Sequence, residues 1–391
     1  MFIWKKVLPF LLIVPLLLAS FLSPASATEK EHTNPLPSPS VSAQSAILIE
    51  AESGDAVYGK DCDLPLPMAS TTKIMTALVA LEKGAPDQKI TVDPSAVGVE
   101  GSSVYLSEGE VLTLEQLLYA LLLESANDAA VAIAVGISGS VEAFAAEMNL
   151  MAQSLGLKNT HFQNPHGLDD EEHYTTAREL ATITRRAMEH SLFCDIVSTR
   201  KATIPHADNS NVRLLVNHNK LLRSYEGCIG VKTGFTKRSG RCLVSAAKRD
   251  GVTLIAVTLN APSDWSDHAA LLDYGFSKYE SVLLCDAEEY LFPLPVVGGV
   301  EEYVMVGTAE PLRITLPREH GAILSTVEID RFLYAPVLGR GTVGRVIFRC
   351  DRNGDGNVEV LAEVPLTAYY TVERQPAKKN LWQWLLSLLG F

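Results

Sequence analysis

The first apolar run of the folded part is Ala46-Ile-Leu-Ile49, followed by the polar turn Ser53-Gly54-Asp55 and a second run at Ala56-Val57-Tyr58. That pattern predicts a hairpin opening the folded part. Over residues 70–83 nearly every residue is a helix former, apolar side chains fall on most faces, and Gly84 ends the run. A helix of that kind is buried. Thr113 with Gln116 reads as a capping box starting a helix over 114–123, Thr176 with Glu179 as a second, and Ser140 precedes a helix-like run ending near Gly156. Between Cys228 and Asn260 the period shortens. Three apolar runs, 228–233, 242–248 and 252–259, are joined by a glycine-containing loop and by Asp250-Gly251, a hairpin signal. A last helix is expected over 265–276.

Strands, then helices, then an antiparallel meander define an α+β layered domain. After about Tyr290 the helix signals stop. Short alternating runs at 312–316, 326–329 and 343–348, separated by Gly and Pro, predict a small all-β domain, with the break near residues 280–290.

The two ends differ from this globular middle. Lys5-Lys6, an apolar run from Val7 to Leu18 and the small-x-small sequence Ala25-Ser26-Ala27 are the parts of a secretory signal peptide. The run is short for a bilayer crossing, which takes about 20 residues. Residues 28–44, rich in proline and serine, read as a tether. At the other end Asn380, Gln383, Ser387 and Gly390 line one narrow helical stripe, leaving Leu381, Trp382, Trp384, Leu385, Leu386, Leu388, Leu389 and Phe391 on a broad apolar face behind Lys378-Lys379. A helix of a dozen residues reaches only about 18 Å, too short to span, and suits a position in the headgroup layer; docking on the protein is the alternative. The expected organisation is therefore a leader over 1–27, a tether over 28–44, a catalytic domain over 45–282, an all-β domain over 283–374 and an amphipathic anchor over 375–391.

Composition sharpens this picture. The 391 residues are 47% hydrophobic and 20% charged, which excludes disorder over most of the chain. With 33 basic against 46 acidic residues the formal charge is −13, and gripping nucleic-acid phosphates needs the opposite balance. Removing residues 1–27 takes away two lysines and no acid, leaving −15. Six cysteines occur without a Cys-x-x-Cys pair and are expected to be mostly single buried thiols.

Three Ser-x-x-Lys sequences are present. Ser198 with Lys201 lies in a polar segment, and Ser245 with Lys248 lies on a predicted strand, where residues three apart face opposite ways. Only Ser70-Thr71-Thr72-Lys73 opens a buried helix, where positions i and i+3 share a face. Desolvation lowers a buried lysine's pKa, and a neutral amine is a general base for a hydroxyl; the alternative is a lysine that snorkels outward. Ser125-Ala126-Asn127 interrupts two apolar segments, as a helix cap and turn also would. Lys232-Thr233-Gly234 closes an apolar strand, as an edge lysine guarding against aggregation also would.

In this order and placement the three motifs resemble the penicillin-binding proteins and serine β-lactamases. The resemblance is strongest to the low-molecular-mass D-alanyl-D-alanine carboxypeptidases. It extends to Met68-Ala69-Ser70-Thr71-Thr72-Lys73-Ile74-Met75-Thr76, Asn164-Pro165-His166-Gly167-Leu168-Asp169, His173-Tyr174-Thr175-Thr176-Ala177 and Asn217-His218-Asn219-Lys220-Leu221-Leu222, and covers roughly residues 40–375. It implies a β-lactamase/transpeptidase-like domain, an antiparallel sheet flanked by helices, followed by a small all-β domain. It further implies removal of the terminal D-alanine from peptidoglycan pentapeptides through an acyl-enzyme, covalent inhibition by β-lactams, and no cofactor. By the same resemblance Ser70 is the nucleophile, Lys73 its base and Ser125 a proton relay. Asn127 holds the peptide amide, Lys232 and Thr233 meet the terminal carboxylate, and the backbone N–H groups of Ser70 and Phe235, across Gly234, hold the oxyanion. Some relatives carry arginine where His218 stands. Histidine is only partly charged near neutrality, so if His218 binds the carboxylate, binding weakens as pH rises through about 6–7.

Rival chemistries have weaker support. No Gly-x-Ser-x-Gly elbow occurs, and no His-Glu-x-x-His. His166, Asp169, Asp170, Glu171, Glu172 and His173 resemble a ligand cluster but read better as a polar loop. Asp351-Arg-Asn353-Gly-Asp355-Gly356 imitates a calcium loop, yet its twelfth position is Ala362, so a hairpin turn is expected and no metal is assigned. A β-lactamase, an endopeptidase and a non-enzymatic wall-binding module stay open as alternatives.

Overall fold

The computed structural model describes residues 36–207, 211–352, 354 and 356–376. The expected leader, the first part of the tether and the tail from 377 onward lie outside them.

Strands β1 (Ser45–Glu50) and β2 (Ala56–Lys60) form the opening hairpin, and a 3-10 turn, Ala69–Thr72, leads into α1 (Lys73–Lys83). The short pair β3 (Lys89–Thr91) and β4 (Val111–Thr113) precedes α2 (Leu114–Leu123), α3 (Asn127–Ser138), α4 (Val141–Ser154), α5 (Ala177–Ala187) and α6 (Ser191–Ser198). A hairpin, β5 (Lys201–Pro205) with β6 (Val212–Val216), and the single turn α7 (Leu221–Ser224) come next. The meander β7 (Cys228–Thr236), β8 (Gly240–Arg249) and β9 (Val252–Leu259) follows, and α8 (Asp264–Lys278) ends the helical part.

The main sheet is antiparallel in the order β2-β1-β9-β8-β7, so β7 is an edge. Its alternation builds two cores, because successive side chains on a strand point to opposite faces. Ile47 and Ile49 of β1 and Ile255 and Val257 of β9 pack toward the helices on one face. Ala46, Leu48, Leu254 and Ala256 pack toward Leu271 and Leu272 of α8 on the other. The α+β architecture expected from the sequence is therefore observed as helix, sheet, helix layers.

Local signals hold with two corrections. At Thr113 both arms of the capping box exist: the Gln116 amide donates to Thr113 Oγ1 at 3.2 Å and the Thr113 amide to Gln116 Oε1 at 2.9 Å. At Thr176 only one arm exists. The Glu179 amide donates to Thr176 Oγ1 at 3.1 Å, but the Glu179 carboxylate accepts from the amides of Lys158 and Asn159 and from Thr160 Oγ1. Loop amides without other partners draw the carboxylate away from the cap. The second correction concerns α1: Ser70 lies in the tighter 3-10 turn, and the α-helix proper starts at Lys73.

Among the described residues beyond α8 only strands follow: β10 (Tyr279–Cys285), β11 (Phe292–Val297), β12 (Tyr303–Thr308), β13 (Leu312–Pro317), β14 (Leu324–Ile329), β15 (Leu333–Tyr334), β16 (Thr342–Asp351) and β17 (Val358–Ala368). β10 pairs with β13, and the other six form a sheet in the order β14-β16-β17-β12-β11-β15. The calcium-like sequence falls in the β16–β17 hairpin, where Asp351 pairs with Val358 and the Gly356 amide donates to the Asp351 carboxylate at 2.8 Å. Asn353 and Asp355 lie outside the described residues. All six cysteines are free thiols; Cys242, Cys285 and Cys350 are buried and Cys62, Cys194 and Cys228 half-buried.

Candidate active site

Ser70 is held by backbone on three sides. Ala69 before it has φ +48°, a left-handed conformation that costs a non-glycine residue roughly 1–2 kcal/mol. Two glycines let main chain press against this turn. A Cβ on Gly167 would lie 2.0 Å from the Ala69 carbonyl oxygen, and one on Gly234 would lie 3.0 Å from the Ser70 nitrogen. Thr72 Oγ1 donates to the same Ala69 carbonyl at 2.8 Å and lies 2.8 Å from His173 Nε2. His173 Nδ1 accepts from the Gln163 amide at 3.0 Å, so its single proton sits on Nε2 and points at Thr72. Burial pushes the His173 pKa down to about 4, which keeps this tautomer neutral.

Lys73 is fully buried. Its Nζ donates to Asn127 Oδ1 at 2.7 Å and to the His166 carbonyl at 2.6 Å, and lies 3.0 Å from Ser70 Oγ; in the neutral amine the first two use both N–H groups and the lone pair faces the Ser70 hydroxyl. Desolvation, reinforced by the charge of Lys232 and opposed by Asp128, holds its pKa well below the ordinary lysine value. An amine in that state, within hydrogen-bond reach of a hydroxyl, can take its proton.

The second lysine is equally sunk in the protein. Lys232, 1% exposed, donates to Ser125 Oγ at 3.0 Å and to the Thr233 carbonyl at 2.8 Å, and burial lowers its pKa to about 7. Ser125 has φ +59° in the α2–α3 break, so strained backbone flanks both serines. Asn127 caps the arrangement: besides accepting from Lys73, its Nδ2 donates to the Glu100 carbonyl at 2.5 Å and its amide to the Ser102 carbonyl at 2.7 Å. Asp128 fastens the same loop by accepting from Ser103 Oγ at 2.7 Å and from the amides of Val104 and Leu106.

The structure thus joins Ser70, Lys73 and Asn127 by direct hydrogen bonds, joins Ser125 and Lys232 by another, and lays Gly234 against Ser70. Thr233 is half-buried beside Lys232, and Phe235, one residue on, is 65% exposed. His218 is exposed, with Nε2 3.2 Å from Oε2 of Glu124, the residue before Ser125, while Glu124 Oε1 accepts from the Val216 amide. Glu124, Asp128 and the conformational role of Gly167 escaped the sequence reading. Only the Asn164-Pro-His-Gly resemblance hinted at Gly167. Among the described residues no group of three or more His, Cys, Asp or Glu side chains converges to hold a metal ion. In the expected ligand-like cluster His173 is committed to Thr72 and Gln163, and His166 Nδ1 accepts from the Leu168 amide at 3.2 Å.

The depressed pKa of Lys232 has a testable consequence for stability. Between about 7 and the ordinary value of 10.5 the unfolded chain holds a proton that the folded chain has released. Stability therefore rises with pH through that window, and the cost of burying the charge is felt below it. Comparing melting temperatures from pH 7 to pH 10 should show the wild type gaining on Lys232→Met. A difference that stays constant with pH would contradict the burial argument.

An antiparallel sheet faced by helices, with these three motifs converging on one serine, defines the active-site-serine penicillin-binding class. A family model described as D-alanyl-D-alanine carboxypeptidase matches residues 29–263, and the chain belongs to that family. It is 32% identical over 375 residues to D-alanyl-D-alanine carboxypeptidase DacF of Bacillus subtilis, covering 93% of this chain and 94% of that one. It is 30% identical over 368 residues to DacA of Escherichia coli, covering 88% and 89%. Penicillin binding protein 5 from Haemophilus influenzae superposes with a TM-score of 0.62 at 29% identity, over 87% of this chain and all of that one. A variant of a Streptomyces DD-transpeptidase superposes with a TM-score of 0.59 at 35% identity, but over only 61% of this chain.

Proposed function

We propose that Ser70 is the nucleophile and Lys73 the base of a serine D-Ala-D-Ala carboxypeptidase. The enzyme removes the terminal D-alanine from peptidoglycan stem peptides and is acylated by penicillins. The observation that carries this reading is a desolvated amine 3.0 Å from Ser70 Oγ, held by two further acceptors.

Neutral Lys73 takes the Ser70 proton as Oγ attacks the carbonyl of the penultimate D-alanine. The oxyanion sits between the backbone N–H groups of Ser70 and Phe235, where one such donor is worth about 3–4 kcal/mol of barrier. Ser125, polarised by Lys232, passes a proton to the nitrogen of the departing D-alanine as the C–N bond breaks. Water then enters, loses its proton through the same groups, and releases the shortened peptide from Ser70. Lys232, Thr233 and Gly234 receive the terminal carboxylate, with His218 at its outer side, and Asn127 orients both Lys73 and the peptide amide.

Incubation with penicillin, followed by intact mass and peptide mapping, should place one adduct on the Ser70 peptide, and Ser70→Ala should release no D-alanine from a pentapeptide. A label elsewhere, or turnover by Ser70→Ala, would overturn the assignment. For His218 the check is the pH profile of kcat/KM: His218→Gln should flatten any decline through about pH 6–7. Identical profiles would remove His218 from the carboxylate site.

Residues 1–27 export the chain, and residues 375–391 hold it at the outer face of the cytoplasmic membrane. Support comes from the lysines, apolar core and small-x-small end of the leader and from the wide apolar face of the tail. The mature chain should sediment with vesicles, and deleting residues 380–391 should release it.

A further inference from the structure

Large apolar side chains left in water are ordinary when scattered and informative when gathered. In the β domain Val297, Val300, Tyr303, Phe332, Tyr334 and Leu338 are all exposed, Tyr334 to 71% and Leu338 to 69%. They are neighbours. Val297 pairs with Tyr334 where β11 meets β15, and the Phe332 and Tyr334 rings meet edge to face at 5.4 Å. The last described stretch of chain runs between them. On one bank the Val300 amide donates to the Glu373 carbonyl at 2.9 Å, and Tyr370 Oη donates to the Tyr303 carbonyl at 3.3 Å. On the other bank Val337, beside Leu338, bridges to Val372.

The rim therefore surrounds the point where the chain leaves for residues 377–391, a segment that starts with Lys378-Lys379 and carries Leu381, Trp382, Trp384, Leu385, Leu386, Leu388, Leu389 and Phe391. We propose that this rim is a second membrane contact, lying in the headgroup layer of an anionic bilayer beside the tail. The chemistry suits that layer: aliphatic and aromatic groups and two tyrosines with a polar end, with exposed charges of both signs beside them in the chain, Arg331, Arg340 and Arg374 against Glu301, Glu302, Asp330 and Glu373. The proposal rests on the anchoring by residues 375–391 proposed above and goes beyond it. A tail alone is a tether, whereas a tail with a rim fixes which way the domain stands on the surface.

The experiment uses the mature chain and vesicles of phosphatidylglycerol with phosphatidylethanolamine, in four forms: wild type, a rim variant (Phe332→Ser, Tyr334→Ser, Leu338→Ser), a tail variant (Leu385→Glu, Leu388→Glu) and their combination. Penicillin acylation of Ser70 at the wild-type rate reports that each form is folded. Losing three interfacial apolar side chains should weaken partitioning of the rim variant by about five- to tenfold. The tail variant should keep a weak association that the combined variant loses. Equal partitioning of wild type and rim variant, in both tail backgrounds, would overturn the rim. A rim substitution that changes only self-association would overturn it too, in favour of a second copy as the occupant. A tail variant that binds as well as wild type, with the rim variant weakened, would instead sink the tail and leave the rim standing.

Discussion

Replacing Lys73 with methionine should slow acylation of Ser70 by penicillin about 10³- to 10⁴-fold, the upper part of what a positioned general base contributes. Methionine keeps most of the volume and removes the amine, so Ser70 loses its proton acceptor while the oxyanion groups stay. Stability should change far less than rate. The substitution leaves Asn127 Oδ1 and the His166 carbonyl without their lysine, each worth about 1–3 kcal/mol if left unpaired. It also ends the burial of an ionisable amine, which works in the opposite direction. Because Ser70 Oγ forms the acyl bond, adding Lys73→Met to Ser70→Ala should cause no further loss. Stopped-flow acylation with a chromogenic β-lactam measures this. A loss below tenfold for Lys73→Met would transfer the base role to another group, Lys232 being the nearest amine.

The second large effect is expected at a residue with no side chain at all. Gly167→Ala should cost about 4 kcal/mol or more, in the range reserved for steric conflicts and special backbone positions. Its φ of +89° is strained for any residue with a Cβ, and that Cβ would stand 2.0 Å from the Ala69 carbonyl oxygen. The obstacle is main chain, so no rotamer change relieves it. The 3-10 turn must move, and Ser70 moves with it. We expect the melting temperature to fall by roughly 10 °C and acylation to be lost before global unfolding. A nearby control, Gly98→Ala, also has positive φ, at +73°, but meets no atom within 4 Å, and should cost only the backbone strain. Equal losses in the two variants would mean that strain alone, not the contact with Ala69, sets the effect.

How much of this was legible beforehand follows from the range of the interactions. The β1–β2 hairpin, the Thr113 box, the buried α1 and the β7–β9 meander are local patterns, and each is visible in a window of a dozen residues. The three motifs were readable because their spacing is itself the signal. Partners that meet only through the fold were not. Lys73 leans on the carbonyl of His166, 93 positions away, and a carbonyl has no sequence signature. Arg213 grips Glu110 with both terminal nitrogens, at 2.6 and 2.9 Å, joining the β5–β6 hairpin to the loop before β4 across 103 positions. That hairpin was missed because Pro205 and a polar tip hide its alternation. Glu179 looked like half of a capping box since the sequence could not say that three donors of loop 158–160 would claim it first.

Lys73 and Lys232 are both buried, and a charge on Lys232 lowers the hold of Lys73 on a proton. Lys232 counts among the reasons Lys73 is hard to protonate. If the peptide carboxylate seats at Lys232 as proposed, its negative charge favours the ammonium form there. Ammonium and carboxylate together present little net charge to Lys73, so the amine beside Ser70 keeps its lone pair with the groove filled.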